Sequence, residues 1–428
     1  MGLIALLVAA AGCGSDLEFQ IGSSSMEPSL QGPAYQARCS VCAATQRVSV
    51  DSYRPELATR CVLCGGNCQV DSQASPGQRI HVDPLPLQEL PDRLAVVALE
   101  SEGGQGVMVK RAWGLPGERI EIRDGDLWIN GKRLQKTMDE FKRMSVEVSQ
   151  YPQRPVGRWS IANRGKQYPM VSWFEKSKFT LQSDHRLQWT YTRPAAVYPQ
   201  ETNSSAWLIA SPIVDDLPAN QGLSYTLQVV QDWGISLELA EPISSPTFIA
   251  LQGTALPIQV QLVPLGWVTV DPQTSELQVN AGAAYGAGKW SAKSGFYQAM
   301  VTVQQQVDIA VVDGRLLVSS DVEDRQYDLS PLRVQSVDHK PLSTDLPPAR
   351  FVIEPRGGAL VIRRLAVLRD IYLRTTHRDG GGREEYGIVP PDHLFVLGDN
   401  PPASVDSRHD FGFRPASSIL GTVRVPQR

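Results

Sequence analysis

The stretch ERIEIRDGDLWINGKRL, residues 118–134, restricts the fold of this chain more than any other. Apolar residues alternate with polar ones on both sides of Asp124-Gly125, and Asn130-Gly131 follows the second run. Alternation with a period of two is typical of a strand with one buried face, and both dipeptides are strong signals for tight hairpin turns. The stretch therefore predicts an antiparallel β-meander.

The rest of the composition favours a chain that is mainly β. Short alternating runs such as RIHV, LAVVAL, SYTLQVV and VDIAVVDGRLLVSS recur between turn residues, and the 428 residues include 31 Pro and 35 Gly. This length allows roughly two or three domains. The net charge of −4, with Lys and Arg dispersed along the chain, argues against nucleic acid as a partner.

The chain begins with a hydrophobic run, LIALLVAAAG, at residues 3–12. As a helix this run would span about 15 Å, against about 30 Å for a bilayer core. No Lys or Arg precedes it, so it lacks the basic start of a secretory signal. It is either part of a longer transmembrane anchor, a lipobox that leaves Cys13 lipidated, or a short buried helix. We expect residues 1–18 to be an anchor remnant or a lipid-anchored start.

Residues 37–70 carry two Cys-x-x-Cys pairs, separated by 18 residues. They comprise Cys39, Cys42, Cys61 and Cys64. Four thiolates at this spacing suit tetrahedral Zn²⁺, so the segment predicts a small zinc ribbon with a structural metal. Disulfides are the alternative if the segment lies in an oxidising compartment. Cys68 has no assigned partner.

Three separated motifs carry chemistry. They are GSSSMEPSL at residues 22–30, KRAWGLPGE at residues 110–118 and GDNPPASVDSRHD at residues 398–410. In this order and with this internal spacing they resemble the type I signal peptidases, serine endopeptidases that remove signal peptides from exported proteins. The resemblance covers residues 19–34, 77–136 and 386–428.

The resemblance implies that Ser25 is the nucleophile and Lys110 the general base. Neither of the first two motifs contains a His, so a Ser-His-Asp triad is not indicated, whereas a Ser-Lys pair is a known variant. Lysine acts as a base only when neutral, and its ordinary pKa is about 10.4. Burial among apolar neighbours such as Met108, Val109 and Trp113 would lower that pKa. A surface lysine on a strand is the alternative.

The resemblance also implies how the reacting groups are supported. The backbone N–H of Ser25 and the hydroxyl of Ser23 would form the oxyanion hole. Ser404 would orient the amine of Lys110 through a hydrogen bond. No cofactor is implied for catalysis.

The loop that carries Ser404 has its own predicted supports. Gly398 would let the backbone pass close to the lysine, where a side chain would not fit. Asp399 and Asn400 would hold the turn of the loop. Asp406 and Arg408 would form an ion pair that braces it.

Together these observations predict a mainly β protein with four parts. We expect the anchor segment at residues 1–18, a signal-peptidase-like antiparallel β catalytic core at 19–34, 77–136 and 386–428, a zinc ribbon at 37–70 and an inserted β-sandwich at 137–385. We expect the insert to be a spacer, so that the loop carrying Ser404 reaches Lys110 without its help.

The chain departs from the family pattern at supporting positions. Gly22 replaces the proline usual before the first serine, Gln78 stands where an aspartate is usual, and Pro-Pro-Ala replaces a charged run after residue 400. The reactive groups are intact. These departures bear on substrate preference more than on activity.

The resemblance implies a membrane-anchored enzyme with its catalytic domain on the exoplasmic or periplasmic side. Its partners would be exported preproteins with small residues at the cleavage site, and membrane lipid. The alternative is a non-catalytic binding protein that uses the ribbon and the sandwich on a degenerate peptidase frame. A cytosolic self-cleaving Ser-Lys peptidase is a third candidate, which the hydrophobic start and the intact GLPGE sequence disfavour.

Overall fold

The protein is described by a computed structural model, and its elements are almost all antiparallel strands. The structure describes residues 17–62, 64–86, 89–101, 106–151, 158–163, 166–169, 177–194, 208–266, 268–270, 277–279, 289–291, 296–329 and 347–425. Strands within these ranges are numbered in chain order from β1 to β33. The mainly β fold class is confirmed.

One unit, the main unit, takes strands from both ends of the chain. Its strands are β1 (Leu17–Gln20), β5 (Arg79–Asp83), β6 (Val96–Glu100), β7 (Val107–Gly114), β8 (Arg119–Arg123), β9 (Asp126–Ile129), β10 (Lys132–Arg133), β30 (Arg383–Ile388), β31 (His393–Leu397), β32 (Arg414–Pro415) and β33 (Ile419–Val423). They form a seven-stranded sheet in the order β1-β5-β33-β6-β7-β31-β32 and a four-stranded sheet in the order β10-β9-β8-β30. The sheets place β7 beside β31, which precedes the loop of the third motif.

The predicted meander is strands β8, β9 and β10. Asp124 and Gly125 have φ angles of 56° and 92°, and Asn130 and Gly131 have φ angles of 51° and 77°. Two consecutive residues with positive φ define the type I′ turn, which joins strands at the natural twist of a hairpin. The local turn chemistry thus fixes this part of the fold, as the sequence predicts.

The cysteine-rich segment folds as a separate three-stranded sheet, the ribbon. It consists of β2 (Ala34–Cys39), β3 (Thr45–Ser49) and β4 (Cys68–Ser75), in the order β3-β2-β4. Its strands extend a few residues beyond both ends of the predicted range 37–70. The ribbon lies in the chain directly after the loop that contains Ser25.

A third unit, the insert, contains two larger sheets. The first comprises β11 (Val146–Tyr151), β14 (Phe179–Leu181), β18 (Trp233–Leu239), β25 (Gln306–Val312), β26 (Arg315–Ser320), β27 (Asp324–Asp328) and β29 (Leu360–Arg369). The second comprises β12 (Arg158–Asn163), β13 (Lys166–Pro169), β15 (His185–Thr190), β19 (Thr247–Gln252), β20 (Ile258–Pro264), β23 (Lys289–Ser291), β24 (Phe296–Val303) and β28 (Arg350–Pro355). Two short hairpins pair β16 (Thr192–Pro194) with β17 (Leu208–Ala210) and β21 (Val268–Val270) with β22 (Leu277–Val279).

The two large sheets of the insert pack face to face around one apolar core. Trp189 on β15 and Trp233 on β18 lie in opposite sheets, and their ring centroids are 6.1 Å apart. Both side chains are fully buried, as is Phe351 on β28. Burial of both inner faces in one cluster is the packing of a β-sandwich.

A short helix joins the main unit to the insert. Helix α1 (Met138–Met144) begins with a capping box between Thr137 and Glu140 and buries Phe141 against the first insert sheet. The chain returns from the insert to the main unit at β30, which starts at Arg383 and pairs with β8. The sheet of the main unit therefore resumes at Arg383 rather than at residue 386.

The predicted strand SYTLQVV, residues 224–230, does not form. Val229 makes an isolated bridge with Val214, while side chains take up neighbouring backbone groups of the segment. Asp215 accepts the backbone N–H of Gln228 at 2.8 Å, and Arg374 donates to the carbonyl of Thr226 at 2.9 Å. These bonds replace the ladder that the alternation predicted.

The predicted anchor segment falls outside the described residues except for its last two, which begin β1. Within the described part of the chain, no helix combines the length and the apolar character needed to cross a bilayer.

Candidate active site

Ser25 lies in a tightly packed loop between β1 and β2. Met26 and Leu30, both fully buried, anchor the loop to the apolar core of the main unit. Gly32 faces the same loop, and a Cβ at this position would lie 2.4 Å from the carbonyl oxygen of Ser23. The hydroxyl of Ser23 donates to that of Ser25 over 3.2 Å, so two of the predicted site residues are in contact.

Lys110 lies on β7 and is 4% exposed. Burial lowers the pKa of its amine to about 8, against the opposing influence of Asp406 and Asp399 and with the help of Arg408. The cost of burying the Lys110 ammonium exceeds the attraction of the two carboxylates, because each carboxylate is already paired with an arginine. The lysine therefore has an accessible neutral form near physiological pH.

Ser404 and Gly398 bring the third motif against the first two. Lys110 Nζ donates to Ser404 Oγ at 3.1 Å, in a buried contact. A Cβ on Gly398 would lie 2.3 Å from Ser404 Oγ and 2.4 Å from the carbonyl oxygen of Ser25. The glycine thus lets the loop pass between the two serines. The prediction placed this close approach at the lysine instead.

Asp406 and Arg408 form a buried ion pair, with Arg408 Nε 2.7 Å and Arg408 Nη2 2.8 Å from the two carboxylate oxygens. Asp406 also accepts the backbone N–H of Gly398 at 3.0 Å. Burial raises the pKa of Asp406, but the attraction of Arg408 outweighs it and the pKa is lowered. The structure thus places the two residues where the sequence predicted a brace for the loop.

The side chains of Asp399 and Asn400 do not hold the turn of their own loop, contrary to the prediction. Asp399 binds Arg111 through two hydrogen bonds of 2.8 and 2.5 Å. Asn400 Nδ2 donates to the carbonyl of Ser24 at 3.0 Å. Both side chains tie the third motif to the other two, because the loop lies across them and its buried polar groups need partners.

Three residues of this site were missed by the sequence analysis. Arg111 follows the candidate base in the second motif, and the adjacent Lys-Arg pair was its only signal. Asp51 contacts Ser24 from the ribbon, and Asn220 contacts Asn400 from the insert. No local pattern marks either of these, since each acts through a contact distant in sequence.

The expectation that the third motif needs no help from the insert is therefore wrong. Asn220 and Asn400 exchange two amide hydrogen bonds of 2.8 Å. Arg408 also donates to the carbonyl of Arg374 at 3.1 Å, and the Arg374 guanidinium pairs with Asp215 of the insert. The insert supports the loop at two points.

A family model for signal peptidase, peptidase S26, matches residues 1–167 and 365–427, more than half of the chain. This chain belongs to that family. The unmatched residues, 168–364, lie within the insert. A search among curated proteins finds no match.

Membership of this family supports a peptidase. It also implies, in general, substrates that bear signal peptides. The matched residues contain all three motifs, including Ser25, Lys110 and Ser404. The candidate active site within the matched residues consists of buried Lys110, its hydrogen-bond partner Ser404 and the loop that carries Ser404.

The ribbon gathers the sulfur atoms of its four predicted ligands, Cys39, Cys42, Cys61 and Cys64, within 4.8 Å of one another. The sulfur of Cys39 lies 3.4 Å from that of Cys64, and the sulfur of Cys42 lies 3.6 Å from that of Cys61. A disulfide requires about 2.05 Å, whereas a tetrahedral Zn²⁺ with bonds of about 2.3 Å separates its ligands by roughly 3.8 Å. These separations fit a metal site and are longer than disulfide bonds.

Among the ribbon cysteines, the backbone around Cys39 favours a thiolate, whereas burial raises the pKa of the Cys64 thiol. The amides of Cys42 and Val41 point at the sulfur of Cys39, at 3.5 and 3.4 Å. Burial raises the pKa of this thiol, but these N–H groups outweigh it and lower the pKa to about 7. Gly66 leaves room beside the cluster, because a Cβ there would lie 2.7 Å from Val41 and 3.3 Å from the sulfur of Cys39. Cys68 faces Cys39 across the strand pair and lies outside the cluster of four.

Proposed function

We propose that this protein is a serine endopeptidase that removes N-terminal signal peptides from exported preproteins, with Ser25 as the nucleophile and Lys110 as the general base. The observation that carries the proposal is the burial of Lys110, with its lowered pKa, beside Ser404 and next to the loop of Ser25. In a chain of the signal peptidase family, this is the arrangement that a lysine base needs.

The proposed reaction begins with neutral Lys110 accepting the proton of the Ser25 hydroxyl. The serine oxygen then attacks the carbonyl carbon of the scissile peptide, and its electron pair forms the new C–O bond while the carbonyl oxygen becomes negative. The hydroxyl of Ser23 and the backbone N–H of Ser25 donate to this oxyanion.

Collapse of the tetrahedral intermediate breaks the C–N bond and leaves an acyl ester on Ser25. Protonated Lys110 returns its proton to the departing amine. Water, deprotonated by the same lysine, then hydrolyses the ester and regenerates the serine. Ser404 holds the lysine amine in place through both halves of the reaction.

Residues 1–18 would anchor the protein at a membrane and present the active site on the exoplasmic or periplasmic side, where signal peptides emerge. Substrates of this kind carry small residues before the cleavage point. Membrane lipid would be the second partner. The ribbon would hold one structural Zn²⁺ without a part in the chemistry.

Incubation of the purified protein with a preprotein that bears a signal peptide tests the proposal. The wild type should release the mature protein, while Ser25→Ala and Lys110→Ala should each lose at least about 10³-fold in rate. The matched controls are Ser72→Ala and Lys132→Ala at exposed positions, which should cleave normally. Binding of the preprotein without cleavage would favour the alternative of a non-catalytic binding protein.

A further inference from the structure

The ribbon holds the residue directly before the candidate nucleophile. The backbone N–H of Ser24 donates to Asp51 Oδ2 at 2.7 Å, and its hydroxyl donates to the same oxygen at 3.0 Å. Ser24 is fully buried and Asp51 is partly buried. Asp51 follows strand β3, which fixes its place relative to the ribbon.

The insert holds the carbonyl side of Ser24, on the next peptide unit, through Asn400. Asn220 and Asn400 form a reciprocal amide pair, with both hydrogen bonds 2.8 Å long. Asn400 Nδ2 then donates to the carbonyl of Ser24, and the Asn400 backbone N–H donates to the carbonyl of Ser25, each at 3.0 Å. Asn220 is 2% exposed and Asn400 is fully buried.

The ribbon and the insert also contact each other beside this point. The backbone N–H of Arg60 donates to Gln221 Oε1 at 2.9 Å, and the hydroxyl of Ser52 bonds to the carbonyl of Ala219. The contacts form a closed ring that passes through the ribbon, the loop of Ser25, the third motif and the insert. Within this ring, Asp51 contacts Ser24 directly and Asn220 acts on it through Asn400.

We propose that Asp51 of the ribbon and Asn220 of the insert are positioning residues, which fix the backbone on both sides of Ser24 and thereby aim Ser25 at Lys110. This inference rests on the proposed function. It gives the ribbon and the insert a role in positioning Ser25, in addition to the chemical steps of the peptidase reaction. Neither residue touches substrate. Each acts on the nucleophile through the backbone.

Positioning predicts a loss in kcat rather than in KM. A displacement of about 1 Å between reacting groups can lower a rate by roughly 10²-fold, while the substrate site is unaffected. We expect Asp51→Ala and Asn220→Ala each to lower kcat by about 10-fold to 100-fold and to leave KM within about twofold. The midpoint of the rate against pH should not move, because neither residue contacts Lys110.

A conservative variant separates positioning from general damage. Asp51→Asn keeps an oxygen that can accept both bonds from Ser24, so it should recover most of the kcat that Asp51→Ala loses. Asn220→Asp should not recover activity, since a carboxylate can accept from Asn400 Nδ2 but repels Asn400 Oδ1. Gln221→Ala is the matched control, because it removes a ribbon–insert contact and leaves Ser24 untouched.

The variants are compared with the wild type on a preprotein and on a short peptide, together with thermal unfolding of each and amide hydrogen exchange at Ser24. The Ser24 amide should exchange faster in Asp51→Ala than in Gln221→Ala. Wild-type kcat in Asp51→Ala and Asn220→Ala, or an equal loss in Gln221→Ala, would overturn the inference while leaving the peptidase intact. A wild type that cleaves nothing would instead remove the proposed function, and the inference with it.

Discussion

Lys110 lies in an environment that disfavours its charged form. It is enclosed on β7, and the nearby carboxylates of Asp406 and Asp399 are each paired with an arginine. The carboxylates therefore offset only part of the cost of burying the ammonium, and the pKa of Lys110 falls to about 8. Two predictions follow from the same shift.

The rate of cleavage should rise with pH through about 8. Below that value Lys110 is protonated and cannot accept the serine proton, so kcat/KM should increase about tenfold per pH unit and level off above pH 9. A series of initial rates between pH 6 and 10 measures this. A rate that falls steadily over the same range would rule out a lysine base.

Lys110→Met should be inactive and more stable than the wild type. The folded pKa of about 8 lies below the unfolded value of 10.5, so folding disfavours the proton and costs about 3 kcal/mol at pH 7. This cost shrinks as pH rises from 8 to 10.5 and disappears above it. Denaturant titrations at pH 7 and pH 10 should show a gain for Lys110→Met of about 1–3 kcal/mol that narrows at the higher pH.

The control for that measurement is Lys132→Met, at an exposed position on β10. It should leave the free energy of unfolding unchanged at both pH values. A gain for Lys110→Met that is the same at pH 7 and pH 10 would mean that packing, rather than charge, is its source.

At the scale of elements, the ribbon and the meander were predictable because their signals are local. The turn pairs at residues 124–125 and 130–131 require positive φ angles, which Gly and Asn adopt at little cost. The spacing of the four ribbon cysteines likewise predicts their close approach within one short segment. By contrast, the strand expected at residues 224–230 is absent, and side chains of Asp215, 13 residues before Gln228, and of the distant Arg374 bind its backbone groups.

The ribbon should bind one Zn²⁺ per chain and should lose it when a ligand is replaced. Metal analysis of the purified protein should give a ratio close to one for the wild type, and Cys39→Ala should give a ratio close to zero. Cys68→Ala is the matched control, since Cys68 lies beside the cluster but outside it. Cysteines that resist alkylation until reduction, in protein without metal, would contradict the site.

At the scale of the whole molecule, the main unit and the insert meet over a buried network of charges. Asp126, Asp232 and Asp313 bring carboxylate oxygens within 4.8 Å of one another, and Lys136 lies against Asp313. Lys136 Nζ is 2.8 Å from Asp313 and 3.0 Å from Asp370, and all three side chains are at most 5% exposed. Burial lowers the pKa of Lys136, but the two carboxylates outweigh it and raise the pKa.

Lys136→Met should therefore destabilise the protein strongly. It leaves two buried carboxylates without their cation, which costs about 3–5 kcal/mol. Because the folded pKa of Lys136 is raised above its unfolded value, the stabilisation is fully present at neutral pH and is lost only as pH rises above 10.5. Denaturant titration at pH 7 measures the loss.

Arg363→Met is the comparison for this variant, because Arg363 pairs with Glu238 at a site where the two side chains are 56% and 37% exposed. Its loss should be less than about 1 kcal/mol. Equal losses in the free energy of unfolding would show that the buried Lys136 network stabilises the protein no more than an exposed ion pair does.

The motifs predict Ser25, Lys110 and the loop of Ser404 because each motif is a contiguous run of residues. The contacts that join the ribbon and the insert to these motifs could not be predicted in this way. Asp51 and Asn220 lie in units that were expected to stand apart from the site, and a contact between distant segments leaves no periodic or compositional trace. The spacer expectation was wrong for this reason.

The hydrogen bond between the Ser24 carbonyl and Asn400 joins residues 376 positions apart. During synthesis, at roughly 5–20 residues per second, the serine leaves the ribosome about 20–75 s before its partner does. For most of that interval the nascent chain carries the candidate nucleophile, the candidate base and the ribbon but lacks the loop that contacts them. The contact that holds the Ser24 carbonyl can therefore form only after nearly the whole chain has been made.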